Sequence, residues 1–407
     1  MKSRKVWFKG ISAMLLAAPL ALGPAWTSAQ AATVRCVKTG GVVCGASYMT
    51  ISAAVSAAAS GDIILVGPGL YNESVAVNTS VTLLGAKAGV DARTRSVNVS
   101  PTVESIVNGA SGGFNVHAQN VIIDGFTVEN AASGVYSGIS FDGGPNSASG
   151  SQALNNILKN NTGGIYLNIT GYTAPQLVAN IEIRRNLFVA NNTGGAAAGA
   201  GDGIFSAGSQ NVDIYDNKFM NEISAAIVIT NSTSVTAEGN QSVGDATFFV
   251  LDASSGCEIA HNRAVNFAGS GIFIAGSNQN SVFSDNYLAQ GPSAGIFLNT
   301  SIFGGSANQN LTLSYNQIVS MKGDGITVDQ TSATASLIIG NIIQQSGADG
   351  IDVIADNAGN LLIQNSVSLS GGVDCRDATS GSGTAGTADT WFRNRGKHSS
   401  PAGLCAP

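Results

Sequence analysis

Carboxylates near the C-terminal end of the sequence are the side chains best placed to do chemistry. Asp324 precedes Gly325-Ile326, and Asp349 precedes Gly350-Ile351, so the two carboxylates occupy matching positions. If these segments stack as equivalent strands, the two groups lie about 5 Å apart. Mutual repulsion would raise the pKa of one of them, which suits acid–base catalysis. We therefore predict catalytic roles for Asp324, Asp349 and the nearby Asp352.

The same carboxylates allow other interpretations. Asp329 and Asp352 could bind Ca²⁺, which prefers carboxylate oxygens and could neutralise a uronate. Lys322, two residues before Asp324, could then act as the base of a β-elimination. Alternatively, Asp-Gly is ordinary turn chemistry and the carboxylates are structural.

An aromatic column is predicted beside these carboxylates. Each Gly-Ile strand should carry one outward residue between two inward ones. Taking one such residue per repeat gives the substrate-binding candidates Tyr166, Phe205, Phe249, Phe273 and Phe297. Including Phe249 requires Phe248 to point inward. Exposed apolar patches usually mark contacts, so the column is either a stacking platform for sugar rings or a surface covered by loops or another subunit.

The elements that must position these residues come from a repeat. The segment NVDIYDNKFMNEISAAIVIT (Asn211–Thr230) contains short apolar strands, an Asn at a tight turn and a strand that opens with small residues. The turn Asn recurs at Asn186, Asn217, Asn240, Asn262, Asn286, Asn316, Asn341 and Asn365. The spacing between successive turn asparagines is irregular, with a minimum near 22 residues between Asn240 and Asn262. Such spacing is typical of a solenoid with variable loops. Asn side chains stacked in phase would hydrogen-bond from coil to coil, which is a structural role.

The opening segment adds a family resemblance. GDIILVGPGLYNESVAVNTSVTLLG (Gly61–Gly85) follows an amphipathic segment, Tyr48–Ala59. It resembles the first coil of the pectin-lyase-like superfamily, where a capping helix precedes a right-handed parallel β-helix. The resemblance implies an all-β fold with a single solenoid of about 10–12 coils. It does not imply an activity, because enzymes and non-enzymes share this fold.

Family-specific catalytic motifs are incomplete. Gly201–Phe219 resembles the first catalytic segment of polygalacturonases, but the following Gly-Asp-Asp-Cys is replaced by Ile223–Ala226. The Gly-His-Gly and Arg-Ile-Lys motifs of those enzymes are missing, as is the Asp-Pro-His-Asp motif of mannuronan epimerases. No catalytic residue can be carried over from either family.

The termini indicate export. A basic start, an apolar segment and Ala29-Gln30-Ala31 predict a signal peptide over residues 1–31, and no later segment is apolar enough to span a membrane. We expect an N-terminal cap over 32–60, the β-helix over 61–374 and a C-terminal tail over 375–407. In an oxidising compartment, Cys36 with Cys44 and Cys375 with Cys405 would each close one terminus, while Cys257 is left over.

Composition limits the partners. Charged residues make up 11% of the sequence and the net charge is −6, which argues against nucleic-acid binding. Carbohydrate-active enzymes are frequent on the fold that the opening segment resembles. The resemblance therefore implies a secreted, carbohydrate-active protein that binds a uronate-containing polysaccharide and could cleave or epimerise it. The alternative is a non-catalytic extracellular adhesion, matrix or structural protein.

Overall fold

The computed structural model describes residues 31–40, 44–132, 137–144, 147–168, 177–191, 199–300, 305–329 and 332–407. The predicted signal peptide therefore lies outside the described residues, apart from Ala31. Residues 32–407 form one compact unit. Three long sheets run along it, and each coil of the chain contributes one strand to each sheet in turn.

Sheet 1 has 15 strands, and every strand pairing in it is parallel. In spatial order the strands are Ala46–Tyr48, Val34–Val37, Ile63–Val66, Thr82–Leu84, Ile122–Asp124, Gln152–Leu154, Val178–Arg184, Ser209–Tyr215, Thr233–Glu238, Glu258–Ala260, Val282–Ser284, Thr312–Ser314, Leu337–Ile339, Leu361–Ile363 and Thr390–Phe392.

Sheet 2 has 12 parallel strands. They are Gly69–Tyr71, Ser105–Asn108, Thr127–Glu129, Ile157–Lys159, Leu187–Val189, Lys218–Met220, Gln241–Val243, Arg263–Val265, Tyr287–Ala289, Gln317–Val319, Ile342–Gln344 and Ser366–Ser368. Sheet 3 has 13 parallel strands. They are Val75–Val77, Phe114–Val116, Ile139–Phe141, Ile165–Leu167, Ile204–Ala207, Ala225–Thr230, Thr247–Asp252, Ile272–Ile274, Ile296–Leu298, Ile326–Val328, Ile351–Val353, Cys375–Asp377 and Ser399–Ser400.

Few other elements are present in the described residues. A pair of two-residue strands, Asn308–Gln309 and Ala333–Thr334, lies beside the main sheets. One α-helix spans Ile51–Ser56, with short 3₁₀ turns at Ala92–Thr94 and Thr384–Gly386. The helix is shorter than the amphipathic segment from which it was predicted, and its buried residues are Ile51, Ala54 and Val55.

The interior is one continuous apolar core, because the side chains of these short strands alternate between inside and outside. The Asn ladder predicted from the repeat is present: each turn Asn accepts hydrogen bonds from the backbone and side chain of the Asn one coil earlier. Asn262, for example, accepts from Asn240 N and Nδ2 at 2.9 and 3.0 Å. Asn156 and Asn394 extend the ladder at its two ends, to ten members.

The repeat continues into the tail. Trp391 is buried against the last complete coil, and its indole Nε1–H donates to Asp377 Oδ2 at 2.7 Å. The neighbouring Phe392 is 52% exposed, so the burial at this end of the core comes from Trp391. Disulfides join Cys36 to Cys44 and Cys375 to Cys405, and Cys257 is a buried free thiol, as predicted.

Candidate functional site on the outer face of sheet 3

The outer face of sheet 3 carries a column of residues that are Cα partners from one strand to the next. In order, this outward column is Asn115, Ser140, Tyr166, Phe205, Val228, Val250, Phe273, Phe297, Thr327, Asp352 and Arg376. It holds four of the five predicted aromatic residues. It also places the predicted Asp352 in line with them.

The structure corrects the predicted outward position of Phe249. It pairs with Ile227 on one side and Ile272 on the other, so it belongs to the inward column, and its side chain is fully buried. Phe248 occupies the place that a glycine takes in the next coil, and the backbone N–H groups of both phenylalanines donate to Gly271 O. Val250 therefore takes the outward position. Phe249 is a core residue and cannot contact a ligand on this face.

The N-terminal part of the column is covered. Tyr166 and Phe205 pack edge to face, with ring centroids 5.9 Å apart, and both are buried in a small cluster with Ala207. The backbone at Gly199 lies against both rings, which leaves no room for a side chain there. Burial raises the pKa of the Tyr166 phenol, whose hydroxyl has no hydrogen-bond partner among the described residues. These two predicted binding residues are therefore closed to a ligand in this structure.

The central part of the column is partly open. Phe273 and Phe297 are both part-exposed, their ring centroids lie 5.6 Å apart, and their planes are inclined by 46°. Val228 and Val250 continue this surface toward the covered end, and both are also part-exposed. The two rings form a ridged apolar surface on which flat apolar faces can stack.

Two residues after the outward residue, four coils carry a polar side chain, which we call the polar column: Thr230, Asp252, Asn299 and Asp329. Thr230 Oγ1 donates to Asp252 Oδ2 at 3.0 Å, and Asn299 hydrogen-bonds to Asp329. Asp252 and Asp329 are part-exposed. Only Asp329 of these four was predicted from the sequence. The others follow from the same phase, because the residue two positions after an outward residue also faces outward.

Asp324 and Asp349 are brought together as successive steps of a ladder. Asp324 Oδ1 accepts from the backbone N–H of Asp349 at 2.8 Å, while Oδ2 accepts from the Thr327 hydroxyl at 2.8 Å. Asp349 Oδ1 in turn accepts from Val373 N at 2.8 Å. Asp374 repeats the pattern by accepting from Lys397 N at 2.6 Å. The geometry therefore gives these carboxylates a turn-stabilising role, the alternative raised by the Asp-Gly pattern.

Asp352 differs from them. It is 7% exposed, and its Oδ1 accepts no hydrogen bond from the described residues; Arg376 Nε lies 3.7 Å from it. Burial raises the pKa of Asp352 to about 6; Arg376 opposes this rise, and nearby aspartates, including Asp324 and Asp349, reinforce it. Arg376 also contacts Asp349 Oδ2 through Nη1 at 3.3 Å. Arg376 was missed in the sequence because it follows the cysteine that opens the predicted tail.

The remaining predicted roles find less support in the geometry. Lys322 is exposed at the turn between sheets 2 and 3 and forms no ion pair with the described residues. Across the described parts of the chain, no group of three or more His, Cys, Asp or Glu side chains is arranged to hold a metal ion. Ca²⁺ binding by Asp329 and Asp352 therefore stays a prediction.

Comparison with known proteins identifies the fold. A family model described as a right-handed β-helix region matches residues 196–303. The A-module of the Azotobacter vinelandii mannuronan C-5 epimerase AlgE6 superimposes with a TM-score of 0.50 at 13% identity, covering 88% of this chain and 93% of that one. The chain is a right-handed parallel β-helix. No curated protein matches it in sequence.

Other β-helix structures are similar at the same low identity. The Dettilon tailspike protein has a TM-score of 0.50 at 14% identity, covering 82% of this chain and 62% of that one. The DFA-IIIase of Arthrobacter chlorophenolicus A6 has a TM-score of 0.48 at 13% identity, covering 79% and 84%. At these identities a structural likeness shows the fold alone, and the two structures with a TM-score of 0.50 support the β-helix. None of the helices in the described residues is long and apolar enough to cross a membrane.

Proposed function

We propose that this β-helix is a secreted protein that binds a polysaccharide along the outer face of sheet 3. The observation that carries the proposal is the part-exposed pair of Phe273 and Phe297, flanked by the hydrogen-bonding side chains of the polar column. An aromatic surface beside polar groups suits sugars, whose rings have apolar faces and hydroxyl edges.

The shape of the solenoid supports an extended ligand. From Val228 to Arg376 the outward column crosses seven strands, and at about 4.8 Å per step it is roughly 29 Å long. The proteins of similar fold named above include a mannuronan epimerase, whose name indicates that it acts on a polysaccharide. Two disulfides and the predicted signal peptide support secretion.

Cleavage or epimerisation of the bound chain is the second candidate function, and Asp352 is the observation that favours it. A largely buried carboxyl with a pKa of about 6, one oxygen of which accepts no hydrogen bond from the described residues, is suited to proton transfer. Within this proposal Asp324 and Asp349 hold the adjacent turns, and Lys322 is the candidate base if the reaction is an elimination. If no reaction occurs, the protein is a binding or adhesion module that uses the same face.

A binding screen with variants tests both candidates. Purified protein is assayed on neutral and uronate polysaccharides for affinity, for new reducing ends and for the ultraviolet absorbance of unsaturated products. We expect Phe273→Ala and Phe297→Ala each to weaken binding about tenfold, equal to about 1.4 kcal/mol. Phe392→Ala removes an exposed ring on sheet 1 and is the matched control.

The variants distinguish the location of the binding site from the presence of a reaction. Equal loss of binding in the Phe392 variant, or no loss in the Phe273 and Phe297 variants, would place the ligand elsewhere. If products form, Asp352→Asn should abolish them with little change in affinity, while Asp285→Asn, at an exposed turn, should not. Binding without products from any polymer would leave the non-catalytic role.

A further inference from the structure

The open part of the sheet 3 face is strongly acidic. Among the described residues of this part, the aspartates on or beside the aromatic and polar columns are Asp252, Asp324, Asp329, Asp349 and Asp352. Arg376 is the cation within the outward column, and its guanidinium already contacts both Asp349 and Asp352. Lys322 lies at the neighbouring turn and is exposed to solvent.

We infer that the polysaccharide bound at this face is a neutral glycan and not a uronate polymer. The inference rests on the proposed function and names the substrate class of that site. It departs from the expectation drawn from the sequence, where the carboxylates suggested a uronate ligand. Of the reactions proposed for Asp352 it leaves only hydrolysis, because elimination and epimerisation both act on a uronate.

Charge provides the first reason. A uronate polymer carries one negative charge per acidic sugar, and its carboxylates would lie within a few ångströms of Asp252 and Asp329. Like charges at that separation repel, and the repulsion grows where one side is buried. Arg376 cannot offset several such charges, because two aspartates of the protein already share it.

Hydrogen bonding provides the second reason. Carboxylates only accept hydrogen bonds, and the hydroxyl groups of a neutral sugar donate them. Such bonds to a charged acceptor are stronger than neutral ones. Asp252 and Asp329 are part-exposed beside the aromatic surface of Phe273 and Phe297, so a stacked sugar ring would present its hydroxyl edge to them.

Bridging by divalent cations is the main route by which an acidic face could bind an acidic polymer. The described residues contain no group of three or more acidic or other ligating side chains arranged around a common point. The neutral-glycan inference therefore predicts that Ca²⁺ does not increase the affinity for any uronate polymer.

Matched polymers test the inference. Polygalacturonate and alginate are compared with their carboxyl-reduced forms, in which each uronate becomes a neutral hexose with the same linkages, next to an array of neutral polysaccharides. Affinity is measured at low and high salt, with and without Ca²⁺. The variants are Phe273→Ala, the double variant Asp252→Asn with Asp329→Asn, and Asp285→Asn as a remote acidic control.

We expect a neutral polymer to bind in a salt-insensitive, Phe273-dependent manner and to exceed its uronate counterpart at least tenfold. The double variant should raise uronate binding at least about fivefold at low salt and much less at high salt, while the Asp285 variant changes neither. Tighter Phe273-dependent binding of a uronate form, with or without Ca²⁺, would overturn the substrate class and leave the proposed function standing. Failure of every polymer to bind the folded protein would overturn both.

Discussion

At the scale of single residues, three buried acids between sheets 2 and 3 stand out. Asp202, Glu222 and Asp245 are each at most 3% exposed, and none forms an ion pair with the described residues. Glu222 accepts from Asn191 N and Nδ2, and Asp245 accepts from Glu222 N at 2.7 Å and from the Ser242 hydroxyl. Glu222 and Asp245 thus replace amides in a second inter-coil ladder that continues Asn161 and Asn191, whereas Asp202 accepts from Ala225 N.

Burial without a cation raises the pKa of all three groups. The pKa of Asp202 rises to about 7 and that of Asp245 to about 6, while that of Glu222 rises well above its usual range. For Glu222, the neighbouring Asp245 and Asp202 add repulsion to the effect of burial. These groups therefore favour the protonated form in the native state far more than in the unfolded chain.

The sign of the resulting pH dependence follows by linkage. The Asp202 carboxyl has a pKa of about 4 in the unfolded chain and of about 7 in the native state. Between these two pH values the native state binds more protons than the unfolded state, so stability falls as the pH rises. Asp202→Asn keeps the acceptor for Ala225 N, which lies at 2.9 Å. It should raise stability near pH 8 by on the order of 2 kcal/mol and change little at pH 4.

Thermal melting of the Asp202→Asn variant and the parent across pH 4 to pH 8 measures this difference. The exposed Asp285→Asn variant serves as the control for the loss of one negative charge. Melting curves that differ by the same amount at every pH would contradict a role for Asp202 ionisation.

At the scale of strands, the phase of one short segment decides which residues reach a ligand. Phe249 fills the core between Ile227 and Ile272, whereas Phe273, one coil later, lies outside. The two residues differ in environment although both are phenylalanines in sheet 3. Their substitution therefore separates packing from binding.

We predict that Phe249→Ala lowers the stability of the protein by about 3–5 kcal/mol, because it leaves a cavity in a packed core. Phe273→Ala should cost less than about 1 kcal/mol, since its ring is part-exposed. Chemical denaturation of the two variants measures both values. Equal losses in the two variants would show that the assigned phase of Thr247–Asp252 is wrong.

The same strand shows what could be predicted from the sequence. The Asn ladder was predictable because one residue type recurs in phase, and its hydrogen bonds are as expected. The phase of Thr247–Asp252, that is, which of its residues face the core, was not predictable. Phe248-Phe249 stands there in place of the Gly-Ile pair that marks the inward position in other coils. Nor was the covering of Tyr166 and Phe205 predictable, because it depends on the path of the backbone near Gly199.

The candidate site was predictable only in part for a related reason. Sequence position placed Asp324, Asp349 and Asp352 on neighbouring coils, but the partner of each carboxylate oxygen depends on turn geometry. Asp324 and Asp349 bond to backbone N–H groups of the following coil, while Asp352 projects from the middle of a strand. Which carboxylates hold turns and which one projects from a strand is therefore apparent only in three dimensions.

At the scale of the whole molecule, a solenoid is held together by neighbour contacts, so its ends limit its stability. The helix Ile51–Ser56 packs at the N-terminal end, and Glu73 from the first coil fixes it. Glu73 Oε1 accepts from Ile51 N at 2.8 Å, and Oε2 accepts from Ser52 N at 2.9 Å. These charge-assisted bonds satisfy N–H groups at the helix start that have no partner within the helix.

Glu73→Ala should therefore release the helix and expose the first strands without disturbing distant coils. Loss of two charge-assisted hydrogen bonds corresponds to on the order of 2 kcal/mol of local stability. We expect faster hydrogen exchange in Ile51–Ser56 and in the neighbouring Val75–Val77, and unchanged exchange beyond Thr247–Asp252. We also expect more light scattering on heating, because unpaired strand edges associate. Glu258→Ala, at an exposed position on sheet 1, is the control. Faster exchange along the entire solenoid would instead mean that the coils unfold as one cooperative unit, and unchanged exchange at the helix would mean that Glu73 does not hold it.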